Sequence, residues 1–403
     1  MYKIMHLLVR KNVYFAFKSG RNQGKSMIKI VVDSNIPFIH GALESVATPI
    51  YIEGDKITRW AVEDADALII RTRTLCNKDL LEGTRVKYIA TATIGHDHID
   101  TEYCLKNNIR WSNAPGCNAP AVCQYILSAI SRLYIQGKLK EKKPTLGIIG
   151  AGNIGRRLSE AANAIGFKVL LNDPPREERE GSGKFTDIDD LLSNSDIISI
   201  NTPLNLHGRY KTFQMAGSSF FDRIKKGAWF INTARGPVMQ SSAVVKAVQT
   251  NRIKGAVVDV WENEPVTDNE LRRAAEIATP HIAGYSVEGK AMGTAMSVRA
   301  VSRFFDLGMN NWYPKKLPPP PHPFIKTDNC IENELIYRAI LHSYNIESDS
   351  IRLKSDPEQF ELQRNNYPVR REFGAYTVMG RDISHDNLKT VKRLGFKIDH
   401  KHN

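Results

Sequence analysis

Cysteine is scarce. The chain has five in 403 residues (Cys76, Cys104, Cys117, Cys123 and Cys330), with no C-x-x-C pair and no metal-ligand spacing. A disulfide framework and a cysteine-based metal site are therefore set aside, and an odd number of scattered thiols suits a reducing cytoplasmic setting. Cys117, in a Gly-Cys-Asn turn, is the one thiol near plausible chemistry; with no base to activate it, it reads as a small packing residue. Long apolar runs are also missing: nothing approaches the ~20 residues of a transmembrane helix, so no membrane partner is expected. Acidic residues are absent from 1–26, which carry Lys3, Arg10, Lys11, Lys18, Arg21 and Lys25. That stretch has no apolar core of signal-peptide length. It reads as a basic extension that is disordered or lies upstream of the true start at Met27, with a transit peptide the lesser reading. Nucleic-acid motifs and aromatic–basic alternation are missing too. The formal charge of +13 falls by six to +7 without the extension, a value that suits an enzyme of anionic substrates. No nucleic-acid partner is expected.

What is present is a soluble composition, 42% hydrophobic and 25% charged, on a chain long enough for two or three domains. The organising stretch is Leu146-Gly-Ile-Ile149 running into Gly150-x-Gly152-x-x-Gly155. A buried strand breaks into a glycine turn, and Ile154, Leu158, Ala161, Ala162 and Ile165 then mark one face of a helix. A glycine bends the chain, a second admits pyrophosphate to the backbone, and a third lets helix pack on strand. The helix N-terminus then faces the negative charge. A following strand, 167–172, ends in Asp173, close to the spacing at which an acid takes a ribose 2′-hydroxyl. The stretch reads as a nicotinamide-dinucleotide site. Asp173 favours NAD over NADP, because a carboxylate there repels a 2′-phosphate, although nearby Arg176 works against that preference.

Strands are expected at 28–32, 67–70, 88–92 and 109–112, then at 196–200, 228–232 and 255–259. Long helices are expected over 119–134 and 287–305. In open parallel sheets ligands lie beyond the carboxyl ends of strands, where Thr202-Pro203-Leu204, Asn232-Thr233-Ala234-Arg235-Gly236-Pro237 and the run from Asp259 to Pro265 fall. Three residues at such ends carry chemistry. Arg235 has a planar fork for a carboxylate. His281 is a general acid/base. Glu264 could orient that imidazole and stabilise its protonated form. Separately each reads equally well as a surface ion pair or a satisfied loop histidine; together on a nucleotide-binding sheet they read as a hydride-transfer set. No metal ligands are indicated. The segment Leu317–Phe324 is a stiff proline-rich linker, and 325–397 follows it as a small α/β segment without a chemical motif, better suited to assembly than to catalysis.

The Arg/Glu/His order after a GxGxxG resembles the D-2-hydroxyacid dehydrogenase family. A narrower resemblance, to its branch that oxidises 4-phospho-D-erythronate at C2 in pyridoxal 5′-phosphate biosynthesis, rests on Val32-Asp-Ser-Asn-Ile-Pro37 and Thr91-Ala-Thr-Ile-Gly-His-Asp-His-Ile-Asp100. It rests also on Ala114-Pro-Gly-Cys-Asn-Ala119, Asp173-Pro-Pro-Arg176 and His281-Ile-Ala-Gly-Tyr-Ser-Val-Glu-Gly-Lys290. The resemblance implies an α/β fold with two Rossmann-like, flavodoxin-like domains and a small C-terminal α/β dimerisation domain. The expected boundaries are 1–26 for the extension, 27–122 with 281–310 for the substrate domain, and 123–280 for the NAD-binding domain. The linker then spans 311–324 and the dimerisation domain 325–403. It implies a homodimer, NAD as cofactor, and a phosphorylated hydroxy acid as substrate. His281 takes the C2 hydroxyl proton as hydride leaves C2, while Arg235 holds the carboxylate and Glu264 completes the catalytic set. Thr72, Thr93 and Tyr285 fall at substrate-contact positions. Gly150, Gly152, Asn153, Ile154, Gly155, Asp173, Thr202, Thr233, Ala234, Arg235, Asp259 and Gly284 fall at cofactor positions. The pattern departs from the resemblance at Thr72, Arg73 and His96 and in the N-terminal extension; none of these touches the catalytic set.

Two other readings remain. One is a related dehydrogenase for another phospho-hydroxy acid such as 3-phosphoglycerate. The other is an NAD-sensing corepressor-like binding protein, against which the intact Arg235/Glu264/His281 set argues.

Overall fold

The computed structural model describes residues 27–139, 143–327, 331–380 and 383–399. The basic extension 1–26 lies outside the described residues. Three parallel sheets organise the rest. The first holds β1 (Lys29–Asp33), β2 (Thr48–Ile52), β3 (Ala67–Ile70), β4 (Tyr88–Thr91) and β5 (Arg110–Ser112), in the order β2-β1-β3-β4-β5. The second holds β6 (Thr145–Ile149), β7 (Lys168–Asn172), β8 (Ile197–Ile200), β9 (Ala228–Asn232), β10 (Ile253–Val258) and β11 (Ile277–Ala278), in the order β11-β10-β9-β8-β6-β7. Every registered pairing in both sheets is parallel. Chain order reverses beside β6, which makes the end of β6 the switch point where an α/β sheet opens a crevice.

Parallel strands carry helices on both faces and so read as unbroken apolar runs. Ala67, Leu68, Ile69 and Ile70 of β3 are all fully buried, as are Ile197, Ile198 and Ile200 of β8. Strand β2 escapes that pattern. Its Thr-Pro-Ile-Tyr-Ile run is only half-buried, and Pro49 is tolerated because β2 is an edge strand. Two long helices join the sheets. Ala119–Ile135, almost wholly buried, leads from the first sheet to the second, and Val287–Phe305 returns to pack on β4.

The third sheet is β12 (Phe324–Lys326), β13 (Thr377–Met379) and β14 (Lys397–Ile398). Phe324, expected to close the linker, instead begins β12 and pairs with Thr377; pairing with a partner more than fifty residues away is invisible to a local proline signal. The C-terminal segment is also not a detached body. Helix Leu335–Ser343 packs on helix Ala119–Ile135, and Leu353 and Phe360 are buried in the core of the second sheet. The hydroxyl of Ser350 accepts from Ala278 N at 3.1 Å, so helix Ile346–Ser355 covers the β11 edge. Among the described residues no helix is long and apolar enough to cross a membrane.

Candidate active site

The glycine turn is built as its spacing requires. Gly150 adopts φ 91°, a left-handed conformation, and a Cβ there would meet Asn201 O at 2.8 Å. A Cβ at Gly155 would stand 2.0 Å from Gly150 O, so only glycine lets helix Asn153–Ile165 sit this close to β6. Gly152 caps that helix without any side-chain bond, which leaves its first N–H groups free to meet an anion. Asp173 ends the strand as expected, but its carboxylate is shared. Oδ2 accepts from Ala151 N at 2.9 Å and Oδ1 from Arg176 N at 3.1 Å, which ties the β7 end to the glycine loop. The Arg176 guanidinium is committed to Glu180 (Nε to Oε1, 2.7 Å) and to the carbonyl of Ala151. It is therefore not a free cation waiting for a 2′-phosphate.

The three residues expected to be catalytic come from three strand ends of the second sheet. His281 follows β11 in the left-handed region (φ 54°), an uncommon conformation for a bulky residue. It is held there by its N–H, which donates to Asp259 O at 2.7 Å. Asp259, fully buried after β10, supports the same loop with its carboxylate. It accepts from Thr279 Oγ1 (2.6 Å), Ile282 N (2.8 Å) and Ala283 N (2.9 Å). Burial pushes the Asp259 carboxyl above its ordinary value despite these bonds. His281 Nδ1 lies 2.7 Å from Glu264 Oε2, while Glu264 Oε1 accepts from Trp261 N at 3.0 Å. Burial works to raise the Glu264 carboxyl, but the bond and charge of His281, the Trp261 N–H and the Arg364 charge together hold it below the ordinary range. Glu264 thus stays ionised and fixes Nδ1 as the donor nitrogen, so Nε2 is left to accept a proton.

Arg235 follows β9 and donates from Nη1 to Ala234 O at 2.8 Å. A Cβ at Gly95, in the loop after β4, would lie 3.3 Å from its Nη2, so the guanidinium reaches the opposing domain. Between the domains runs a cleft of about 320 Å³ lined by Asn153, Ile154, Thr202, Thr233, Ala234, Arg235, Asp259, His281, Gly284 and Tyr285. Gly150, Gly152, Gly155 and Asp173 are not among the lining residues; they build the loop and helix start that present Asn153 and Ile154 to it. Thr93 and Thr72 are not among the lining residues. The Thr93 hydroxyl donates to Gly95 O at 2.9 Å and so shapes the loop facing Arg235, whereas Thr72 is exposed on the turn after β3.

Four buried side-chain atoms lining this cleft lack a hydrogen-bond partner among the described residues: Asn118 Oδ1, Asn201 Oδ1, Thr202 Oγ1 and Thr233 Oγ1. Buried polar atoms are rarely left unpaired, so their convergence beside an uncapped helix fits a polar ligand of dinucleotide type. Asn118 and Asn201 went unnamed as site residues from sequence, although both follow recognisable turn or strand-end signals. A larger open groove, about 750 Å³ beside Tyr88, Trp111 and Phe304, brings no such acid–base pair together. Among the described residues no group of three or more His, Cys, Asp or Glu is placed to hold a metal ion. Cys117 is buried, and burial pushes its thiol up to about 11, so it is inert at neutral pH.

A family model described as the NAD-binding domain of D-isomer-specific 2-hydroxyacid dehydrogenases matches residues 131–283. A second, described only as a domain of unknown function, matches 316–395. The chain is 48% identical over 357 residues to the erythronate-4-phosphate dehydrogenase of Bacteroides thetaiotaomicron, covering 88% of this chain and 99% of that protein. Against the enzyme of the same name from Cronobacter sakazakii it is 36% identical, with 93% and 99% covered. Among solved structures, it resembles the D-lactate dehydrogenase from Aquifex aeolicus complexed with NAD and lactic acid at TM-score 0.55 and 26% identity (71% of this chain, 98% of that one). It also resembles the NAD+-bound 3-phosphoglycerate dehydrogenase of Entamoeba histolytica at TM-score 0.59 and 24% identity, with 73% and 100% covered.

Proposed function

The chain belongs to the erythronate-4-phosphate dehydrogenase family of D-isomer-specific 2-hydroxyacid dehydrogenases, and from that premise we propose how its cleft works. It oxidises 4-phospho-D-erythronate at C2 to 2-oxo-3-hydroxy-4-phosphobutanoate, with NAD as acceptor, in pyridoxal 5′-phosphate biosynthesis. The observation that carries the reading is the His281–Glu264 pair, 2.7 Å apart, in the cleft that Arg235 also lines.

Residues Asn153, Ile154, Thr202, Thr233, Ala234 and Gly284 would hold the dinucleotide, with Asp173 at the ribose. The nicotinamide, when bound, accepts the hydride from C2. The remaining work falls to side chains of this chain. His281 Nε2 takes the proton from the C2 hydroxyl, and Glu264 stabilises the imidazolium that forms. Arg235 grips the C1 carboxylate and polarises the developing carbonyl, an interaction that strengthens toward the transition state. Closure of the two domains excludes water and brings the reacting carbons together. Asp259 acts through the loop, keeping His281 in place by its three accepted bonds.

The protein works in the cytoplasm as a homodimer assembled through its C-terminal domain. Two features support this: the free buried thiols, and the family to which the chain belongs. The test is NADH formation from 4-phospho-D-erythronate, with 3-phosphoglycerate and D-lactate alongside. Preference for the erythronate phosphate, abolished in His281→Ala, is the expected result. Equal or greater turnover of 3-phosphoglycerate would reassign the substrate, and silence with all three would favour a binding role.

A further inference from the structure

The ring of Tyr285 gathers positive charge that no ion pair among the described residues neutralises; Arg364 acts on Glu264 only from a distance. Lys290 Nζ stands 4.8 Å from the ring centroid and Arg364 Cζ 5.6 Å from it. Lys290 lies in the first turn of helix Val287–Phe305, and Arg364 belongs to helix Phe360–Asn365 of the C-terminal domain. Arg71, at the end of β3, is the third cation, close enough for its charge to act on Lys290. None of the three forms a salt bridge among the described residues. Arg71 Nη1 donates to the carbonyl of Asn35 at 3.0 Å, and Arg364 Nε is buried without a partner. Other arginines nearby in sequence are matched: Arg73 reaches Glu361 at 3.6 Å and Arg371 reaches Glu288 at 2.8 Å. Burial, then the charges of Arg71 and Arg370, push the Lys290 ammonium down to about 8. Bringing like charges together out of water is unfavourable unless an anion completes the set. Tyr285 itself lines the cleft with His281 and Arg235, so the anion belongs to whatever the cleft holds.

We propose that Lys290 and Arg364, set against the ring of Tyr285, together with Arg71, whose charge reaches Lys290, receive the phosphate of the substrate while Arg235 takes its carboxylate. The inference rests on the substrate assigned above and adds to it that all three domains contribute, the C-terminal one through Arg364. The C-terminal region matches a family model of its own over 316–395, and Arg364 lies inside that match. On this proposal the C-terminal domain supplies selectivity for the phosphate as well as any assembly surface.

The experiment measures kcat/KM for 4-phospho-D-erythronate and for unphosphorylated D-erythronate in the NAD-loaded protein and in its Arg364→Met and Lys290→Met variants. The preference ratio for the phosphorylated substrate is expected to fall about a hundred-fold in each, mainly through KM, as for loss of a charged hydrogen bond. Arg364→Lys should recover part of the ratio. A parallel fall for both substrates, or an unchanged ratio, overturns the proposal. If the unmutated protein does not oxidise 4-phospho-D-erythronate, the substrate reading itself has failed. The receptor is then read by calorimetric titration of the NAD-loaded chain with glycerol 3-phosphate. Binding that is lost in Lys290→Met sustains it; no binding, or binding unaffected by the substitution, overturns it.

Discussion

Arg370 Nη2 lies 2.7 Å from the carbonyl oxygen of Ala283, two residues past His281, although the two residues are 87 positions apart. The same guanidinium donates to Ile282 O (3.2 Å), Ala121 O (2.6 Å) and Gln124 Oε1 (3.2 Å), and lies 4.2 Å over the ring of Tyr344. Asp259 holds the loop after β11 by its N–H groups; Arg370 holds it by its carbonyls. The loop that aims His281 is therefore gripped from both sides, and one grip comes from the C-terminal domain.

Arg370→Met should destabilise the protein by about 3–5 kcal/mol, because it strands buried carbonyls that no water can reach. Arg370→Lys should recover only part of that, since an ammonium cannot reproduce the planar fork. Urea denaturation of the two variants tests this. A loss under about 1 kcal/mol in Arg370→Met would place the loop's support elsewhere.

Glu264→Gln keeps the shape beside Nδ1 but removes the charge that stabilises the imidazolium. The base must be neutral to accept the C2 proton, so the acid limb of kcat/KM for oxidation should move to lower pH. The rate at the optimum should fall by about 10²–10⁴-fold as proton transfer loses its partner. An unmoved limb in the pH profile would show that Glu264 does not act through His281.

The glycine turn, the strand ends and the meeting of Arg235, Glu264 and His281 near one cleft were legible because each obeys a local rule of spacing or position. The same holds for helices Ala119–Ile135 and Val287–Phe305, whose ends fell within a residue of expectation. Strand β2 was missed since an edge strand carries a weaker apolar pattern and here contains Pro49. Arg364 and Arg370 were missed for a different reason. Their roles depend on the C-terminal segment folding back over the catalytic loop, and nothing in 325–397 announces which way that segment turns. Asp173 was legible as an acid at the right place, but not as the acceptor for Ala151 N.

That double duty makes Asp173→Ala informative. It should loosen the glycine loop and at the same time remove the charge that repels a 2′-phosphate. NAD should bind more weakly, by about ten-fold for one lost charged hydrogen bond, and the ratio of NAD to NADP turnover should drop further than that. Steady-state kinetics with both cofactors decide it. A ratio that stays constant while both KM values rise would mean that Asp173 serves the loop alone.

Glu372 offers a pH test of the domain junction. Its Oε1 accepts from Ser286 Oγ at 2.7 Å, while that hydroxyl accepts from Gly289 N and so caps helix Val287–Phe305. Burial, with Glu288 adding to it and the Ser286 bond opposing, raises the Glu372 carboxyl from 4.5 to about 7. The folded protein therefore keeps this proton over a range in which the unfolded chain has released it. The resulting contribution is complete below the unfolded value and is lost as pH rises through about 7. The full difference amounts to at most about 3 kcal/mol. Glu372→Gln stays neutral and keeps an acceptor for Ser286, so its stability relative to the unmodified protein should rise between pH 5 and pH 8 by on the order of 2 kcal/mol. Urea unfolding at the two pH values measures that gap directly. An equal gap at both would mean that Glu372 is ionised in the folded state throughout, and that the cap on the helix behind the catalytic loop is indifferent to pH.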